Sequence, residues 1–204
     1  MRLEVRMVSC AERAEVLGGT LASWRESDWG GEPPVALDES EALEIATRIE
    51  ETWLRALQSG LEAGADVVLL LEDDLRFNRF LRHNLERWAP LLALDNPALP
   101  FFGSLYRVTQ RMLWQDPAQR FALAAPESFW GAQALLLSRG SARHLLANWP
   151  PGGRAHDLKA ARLAAEQGPI YCHVPALVQH LAGPSTWGGV VHQAPDFDPD
   201  YRAP

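Results

Sequence analysis

The stretch Val67-Val-Leu-Leu-Leu71, ending in Glu72-Asp73-Asp74, decides how this chain is read. The apolar run is short, continuous and β-branched at its start. It predicts a strand buried on both faces, as in a helix-covered parallel sheet. In such sheets ligands gather at the carboxyl ends of the strands, and three carboxylates stand at this one. Three acids side by side repel one another unless a divalent cation sits between them and a phosphate. A solvated acidic turn or a helix start would also accommodate them. Metal-dependent phosphatases and nucleotidyltransferases carry similar acids, so the triplet alone points to metal and phosphate and not to a reaction.

Working outward, Leu3 to Ser9 alternates apolar and polar residues and reads as a strand. A helix-like stretch from Glu12 to Trp24 is interrupted at Gly18 and Gly19, and Ser27 to Pro34 reads as a loop. Val35 to Leu37 is a short strand candidate. Ser40 is a plausible N-cap for a helix whose stripe is Leu43, Ala46, Ile49, Trp53, Leu54 and Leu57, ending at Gly60 or Gly64. Downstream, helices are expected over Phe80 to Leu92, Ser138 to Asn148 and Asp157 to Glu166. Strands are expected around Phe101 to Leu105, Phe129 to Leu137 and Ile170 to Val174. Strands alternating with helices predict an α/β sandwich with a mostly parallel central sheet flanked by helices. The tail from Gly183 to Pro204 has little periodicity.

The chain has 204 residues, a length suited to one domain with a real core. Its net charge of −7 argues against a general nucleic-acid binder, which needs a basic surface. Cys10 and Cys172 cannot build a disulfide framework, so a reducing, cytoplasmic setting is expected. Arg2, Glu4 and Arg6 break the N-terminal apolar run, so no signal peptide is expected, and no stretch is long enough to span a membrane. Lys159 is the single lysine among 19 basic residues. A GC-rich genome explains that bias more simply than bidentate anion recognition by arginine.

Two further constellations carry chemistry. Pro175-Ala-Leu-Val-Gln-His180 follows a strand and precedes Gly183-Pro-Ser-Thr-Trp-Gly-Gly189, a segment able to approach phosphate closely. Imidazole with carboxylate suits Mn²⁺ better than Ca²⁺, with His192 a weaker alternative to His180. His156-Asp157 opens a helix; the Asp would either cap it or act as a general base at its positive end. Trp24, Trp53, Trp88 and Trp149 fall on helical stripes and read as core. Trp114, Trp130 and Trp187 are placed to stack on a sugar or base.

Taken in order, these pieces resemble the glycosyltransferases of the GT-A fold. The matching residues are Val8-Ser-Cys-Ala-Glu-Arg13 with Leu17, Leu21 and Trp24, Leu69 to Asp74, Gly131-Ala-Gln-Ala-Leu-Leu-Leu-Ser-Arg139, Asp157, and Pro175 to His180 with Ser185-Thr186. The resemblance runs over residues 3 to 190. It implies a nucleotide-sugar-binding half over 1–110, an acceptor and catalytic half over 111–190, and a tail over 191–204. It implies that Ser9 and Arg13 hold the nucleotide, that Asp38 or Glu39 contacts base or ribose, and that Glu72, Asp73, Gly131, Ala132, Gln133 and Ser185 contact the donor. Asp74 and His180 would hold Mn²⁺ or Mg²⁺, and Asp157 would be the base of an inverting transfer. Gly188 would add backbone amides, and Trp187 would close over the donor. The acceptor hydroxyl stays open among saccharide, lipid-linked glycan, peptide and nucleobase. A metal-dependent nucleotidyltransferase or phosphatase, or a non-catalytic nucleotide-sugar-binding module, is the competing expectation.

Overall fold

The computed structural model describes residues 1–108, 112–116, 118–152, 155–181 and 192–204. Ten strands and six α-helices are found among them: β1 (Leu3–Ser9), α1 (Ala14–Arg25), β2 (Val35–Leu37), α2 (Ile45–Glu62), β3 (Val67–Leu71), β4 (Leu75–Phe77), α3 (Leu81–Leu85), α4 (Ala89–Leu92), β5 (Phe102–Ser104), β6 (Met112–Asp116), β7 (Phe121–Ala124), β8 (Ala134–Ser138), α5 (Arg139–Asn148), α6 (His156–Ala165), β9 (Ile170–His173) and β10 (Val178–His180).

Eight strands form one sheet in the order β2-β1-β3-β8-β5-β9-β7-β6, and β10 pairs with β4 in a second, two-stranded sheet. β7 and β8 run against the other six, so the large sheet is parallel in its prevailing direction although both reversed strands make antiparallel pairs. The expected strand Val67–Leu71 is buried at every position. Its alternate residues feed two separate cores. Val67, Leu69 and Leu71 pack with Trp24, Leu81 and Trp88 on one face. Val68 and Leu70 pack with Trp53, Leu57 and Ala161 on the other. A continuous apolar run is what such two-faced burial requires, each side chain contributing roughly 1.5–3 kcal/mol.

Several boundaries differ from expectation, each for a local reason. The helix α2 begins at Ile45 and not at Ser40. Asp38 accepts the Ser40 amide at 2.9 Å and Ser40 Oγ accepts the Ala42 amide at 3.1 Å, so residues 38–42 are held as a turn. Leu43 is consequently 99% exposed instead of lying on the apolar stripe. The helix expected over Phe80–Leu92 is split into α3 and α4. Pro90 in the first turn of α4 has no amide to donate back, and α3 is capped from a distance by Asp28, which accepts the Arg82 amide at 2.7 Å and the His83 amide at 3.0 Å. The strand expected from Phe129 begins only at Ala134. Gly18 and Gly19 do not break α1. Trp149 is partly exposed, stacked on the buried Trp53 with centroids 5.4 Å apart.

Candidate active site

Register brings four strand ends to one edge of the sheet. Ser9 at the end of β1 pairs with Leu37 in β2, and Met7 pairs with Leu71 at the end of β3. β8 runs the other way, so its first residue, Ala134, pairs with Leu71 and Gly131 to Gln133 arrive at the same edge. β10 lies antiparallel to β4, pairing His180 with Leu75, and the Leu181 amide donates to the Asp74 carbonyl at 2.7 Å. These ends, with the N-termini of α2 and α6, enclose a cleft of about 700 Å³.

Ser9, Arg13, Asp38, Glu72, Asp73, Asp74, Gly131, Ala132, Gln133, Asp157, His180 and His192 all line that cleft. Ser185, with Thr186, Trp187 and Gly188, lies outside the described residues.

The three acids have different surroundings. Asp73 is 5% exposed and fully engaged: Ser9 Oγ donates to Oδ2 at 2.5 Å, and Arg13 Nε donates to Oδ1 and Oδ2 at 2.9 and 3.1 Å. Burial raises its pKa, against the opposing pull of Arg13 and Ser9. Asp74 Oδ2 accepts from Arg13 Nη2 at 2.7 Å and stands 3.1 Å from His180 Nε2, while its Oδ1 is buried without a partner among the described residues. The Asp74 contact raises the His180 pKa. Glu72 Oε1 is 3.5 Å from His156 Nε2, and burial raises its pKa against the pull of that imidazole. Tyr106 donates its hydroxyl to the His192 carbonyl at 2.8 Å; burial and then the Asp74 and Glu72 charges raise its pKa.

Asp157 lies in the first turn of α6, whose N-cap is Ala155. Asp157 Oδ2 accepts the Gly131 amide at 2.7 Å and Oδ1 the Leu158 amide at 2.8 Å. Each oxygen keeps a second lone pair. Gly131 has φ +99°, a conformation costly for any residue with a Cβ, and a Cβ there would meet Gln133 Oε1 at 2.4 Å. Glycine is therefore what lets this loop present its amide to Asp157. The Trp130 ring stands edge-on to His192, centroids 4.5 Å apart. Asp38 is held by Arg48, whose Nε donates to it at 2.7 Å.

Sequence reasoning missed the contribution of α2 and of His156. Ile45, Arg48, Ile49 and Thr52 line the cleft. Ile49 falls on the expected core stripe, and Ile45, Arg48 and Thr52 stand about one turn or less from it, which was the available signal. His156 was visible only as the neighbour of Asp157.

No known protein-family profile matches the chain, and no curated protein matches it. Solved structures do. A glycosyltransferase involved in glycosylation of the major capsid of PBCV-1 is similar over 90% of this chain and 96% of its own, with 12% identity and a TM-score of 0.51. A197 from STIV is similar over 100% of this chain and 98% of its own, with 13% identity and a TM-score of 0.51. S. aureus TarS 1-349 in complex with UDP-GlcNAc is similar over 94% of this chain and 62% of its own, with 15% identity and a TM-score of 0.56. This chain has the GT-A fold.

Proposed function

We propose that this protein transfers a sugar from a nucleoside-diphosphate donor to an acceptor hydroxyl. One observation carries the reading. Among the described residues, Asp74 Oδ1, Gln133 Oε1 and both ring nitrogens of His156 are buried without hydrogen-bond partners, and all belong to side chains lining one cleft. Unsatisfied buried polar atoms are costly, so their convergence marks a place where a polar ligand supplies the partners. The fold supports a nucleotide sugar as that ligand, since the similar TarS structure is a complex with UDP-GlcNAc.

A divalent cation fits part of this donor set. The described residues contain no group of three or more metal-ligating side chains. Asp74 Oδ1 nevertheless lacks a partner, and His180 adjoins the same carboxylate. Asp74 and His180 would hold Mn²⁺ or Mg²⁺, with diphosphate oxygens and water completing the shell. Such an ion, when bound, would offset charge developing on the departing diphosphate.

The chain's own groups account for the remaining chemistry. Arg13, already held by Asp73 and Asp74, places a guanidinium at the edge where a diphosphate would lie. Ser9 and Asp38, at the ends of β1 and β2, bound the nucleoside end of the cleft. Asp157, oriented by two backbone amides, takes the acceptor hydroxyl's proton as that oxygen attacks the anomeric carbon. With Asp157 as the base of a single direct displacement, the transfer inverts the anomeric centre.

Thermal shift against UDP-, GDP- and TDP-sugars, with and without Mn²⁺, tests the donor. A matching donor at about 100 times its Kd should stabilise the protein by about 2.7 kcal/mol. Asp157→Asn should keep that shift and lose roughly 10²–10⁴ in transfer rate. Asp74→Ala should lose the Mn²⁺-dependent part of the shift; a shift unchanged by Mn²⁺ or by that substitution overturns the metal assignment.

A further inference from the structure

We propose that His156 reads the transferred sugar, its imidazole hydrogen-bonding a hydroxyl of the donor's sugar ring alongside Glu72. This rests on the donor reading above and adds a residue to which the sequence assigned no role of its own. His156 is only 5% exposed yet lines the cleft, and neither ring nitrogen has a hydrogen-bond partner among the described residues. Leaving such a group unsatisfied is costly, and ligand binding would remove that cost.

The surroundings discriminate among the parts of a nucleotide sugar. Trp53, its ring centroid 6.1 Å away, backs the imidazole with apolar surface and is itself stacked on Trp149. That leaves the cleft as the polar side. Glu72 Oε1 lies 3.5 Å from His156 Nε2, beyond a good hydrogen bond but close enough for one ligand atom to engage both groups. A phosphate oxygen only accepts, so carboxylate oxygens beside it are unfavourable; the cationic side of the cleft is at Arg13, which pairs with Asp73 and Asp74. A sugar hydroxyl both donates and accepts, and an imidazole next to a carboxylate offers both complements. Gln133 Oε1, also buried without a partner in the same cleft, adds a further acceptor.

Calorimetric titration of UDP, GDP and TDP, each against its glucose-type and N-acetylhexosamine-type sugar conjugates, separates the outcomes. The wild-type protein should bind one conjugate more tightly than the bare nucleotide. His156→Leu, which keeps apolar contact with Trp53, should leave the nucleotide's Kd within about twofold and weaken the conjugate about tenfold, erasing the difference. His156→Gln, which can both donate and accept, should restore part of it. If His156→Leu does not fold, the volume-matched His156→Met serves in its place. An unchanged conjugate-to-nucleotide ratio in the apolar variant overturns the role of His156 alone. Equal weakening of nucleotide and conjugate overturns it too, since a structural or base-contacting role behaves that way. Failure of the wild-type protein to bind any of these nucleotides or conjugates overturns the donor reading itself.

Discussion

Arg13 shows how a single residue can be read correctly in kind and incompletely in role. The resemblance implies only that it holds the nucleotide. In the structure its guanidinium bridges Asp73 and Asp74 and is mostly shielded from solvent. It therefore stabilises the acidic edge whether or not a ligand is bound. Removing one partner of a buried pair leaves the other charge uncompensated. Arg13→Met should lower stability by about 3 kcal/mol in urea unfolding, and Ser9→Ala, which deletes one hydrogen bond to Asp73, by about 1 kcal/mol. In the double variant the two losses should not add, because both act on the same carboxylate. Additive losses would mean that Arg13 and Ser9 stabilise the protein independently.

At the scale of elements, two contacts that no local pattern announces set how helices meet the sheet. Gly140, in the first turn of α5, sits so close to the chain before β5 that a Cβ would lie 2.2 Å from the Ala98 carbonyl oxygen. A glycine-to-alanine change inside a helix ordinarily stabilises; here Gly140→Ala should destabilise by about 1–3 kcal/mol, because backbone must move. A raised melting temperature would refute this close approach. The other contact is Lys159. The chain's only lysine is 3% exposed, is ion-paired with Glu50 of α2, and lies 5.7 Å from the Trp149 ring centroid. Trp149 Nε1 donates to the same Glu50 at 3.3 Å. This clamp joins α2 to α6 one turn from His156 and Asp157. Lys159→Met alone should cost about 3 kcal/mol by leaving Glu50 unpaired, and Glu50→Leu in the same chain should recover much of that loss. Chemical denaturation of the single and double variants measures both.

Across the whole molecule, stability should fall in mild acid through His173. This β9 residue is buried beneath Trp88 and Tyr201, with Nδ1 2.6 Å from the Pro175 carbonyl oxygen. Burial lowers its pKa from 6.5 to about 4. The unfolded chain then binds a proton between those values that the native state refuses. Its contribution is complete above pH 6.5 and declines as pH falls toward 4, by about 1.4 kcal/mol per unit and about 3 kcal/mol in all. His173→Phe should flatten that part of the stability–pH profile, and an unaltered acid limb would sink the assignment.

Much of the large sheet was legible because its central strands announce themselves locally. Val67–Leu71 is apolar without a break since both its faces are covered, and Leu3–Ser9 alternates where one face is less so. The strands β4 and β10 carry no comparable signal: Leu75-Arg-Phe77 follows directly on the acidic triplet, and Val178-Gln-His180 is two-thirds polar. Ser40 looked like a helix cap because its hydroxyl is suited to one, but Asp38 captured its amide first.

What the sequence determined by itself is the layered α/β class and the placing of Glu72-Asp73-Asp74 at a strand's carboxyl end. Both follow from contiguous patterns, since burial on two faces and termination by charge act on neighbouring residues. Only the tertiary structure decided that Arg13 neutralises two of those acids, that His180 meets Asp74 across the β4–β10 pair, that the Gly131 amide holds Asp157, and that the cleft-lining His156 keeps both ring nitrogens buried without partners among the described residues. Those pairings join residues far apart along the chain. Their geometry depends on sheet register and on how helices are clamped, and neither is written in the spacing of any one segment.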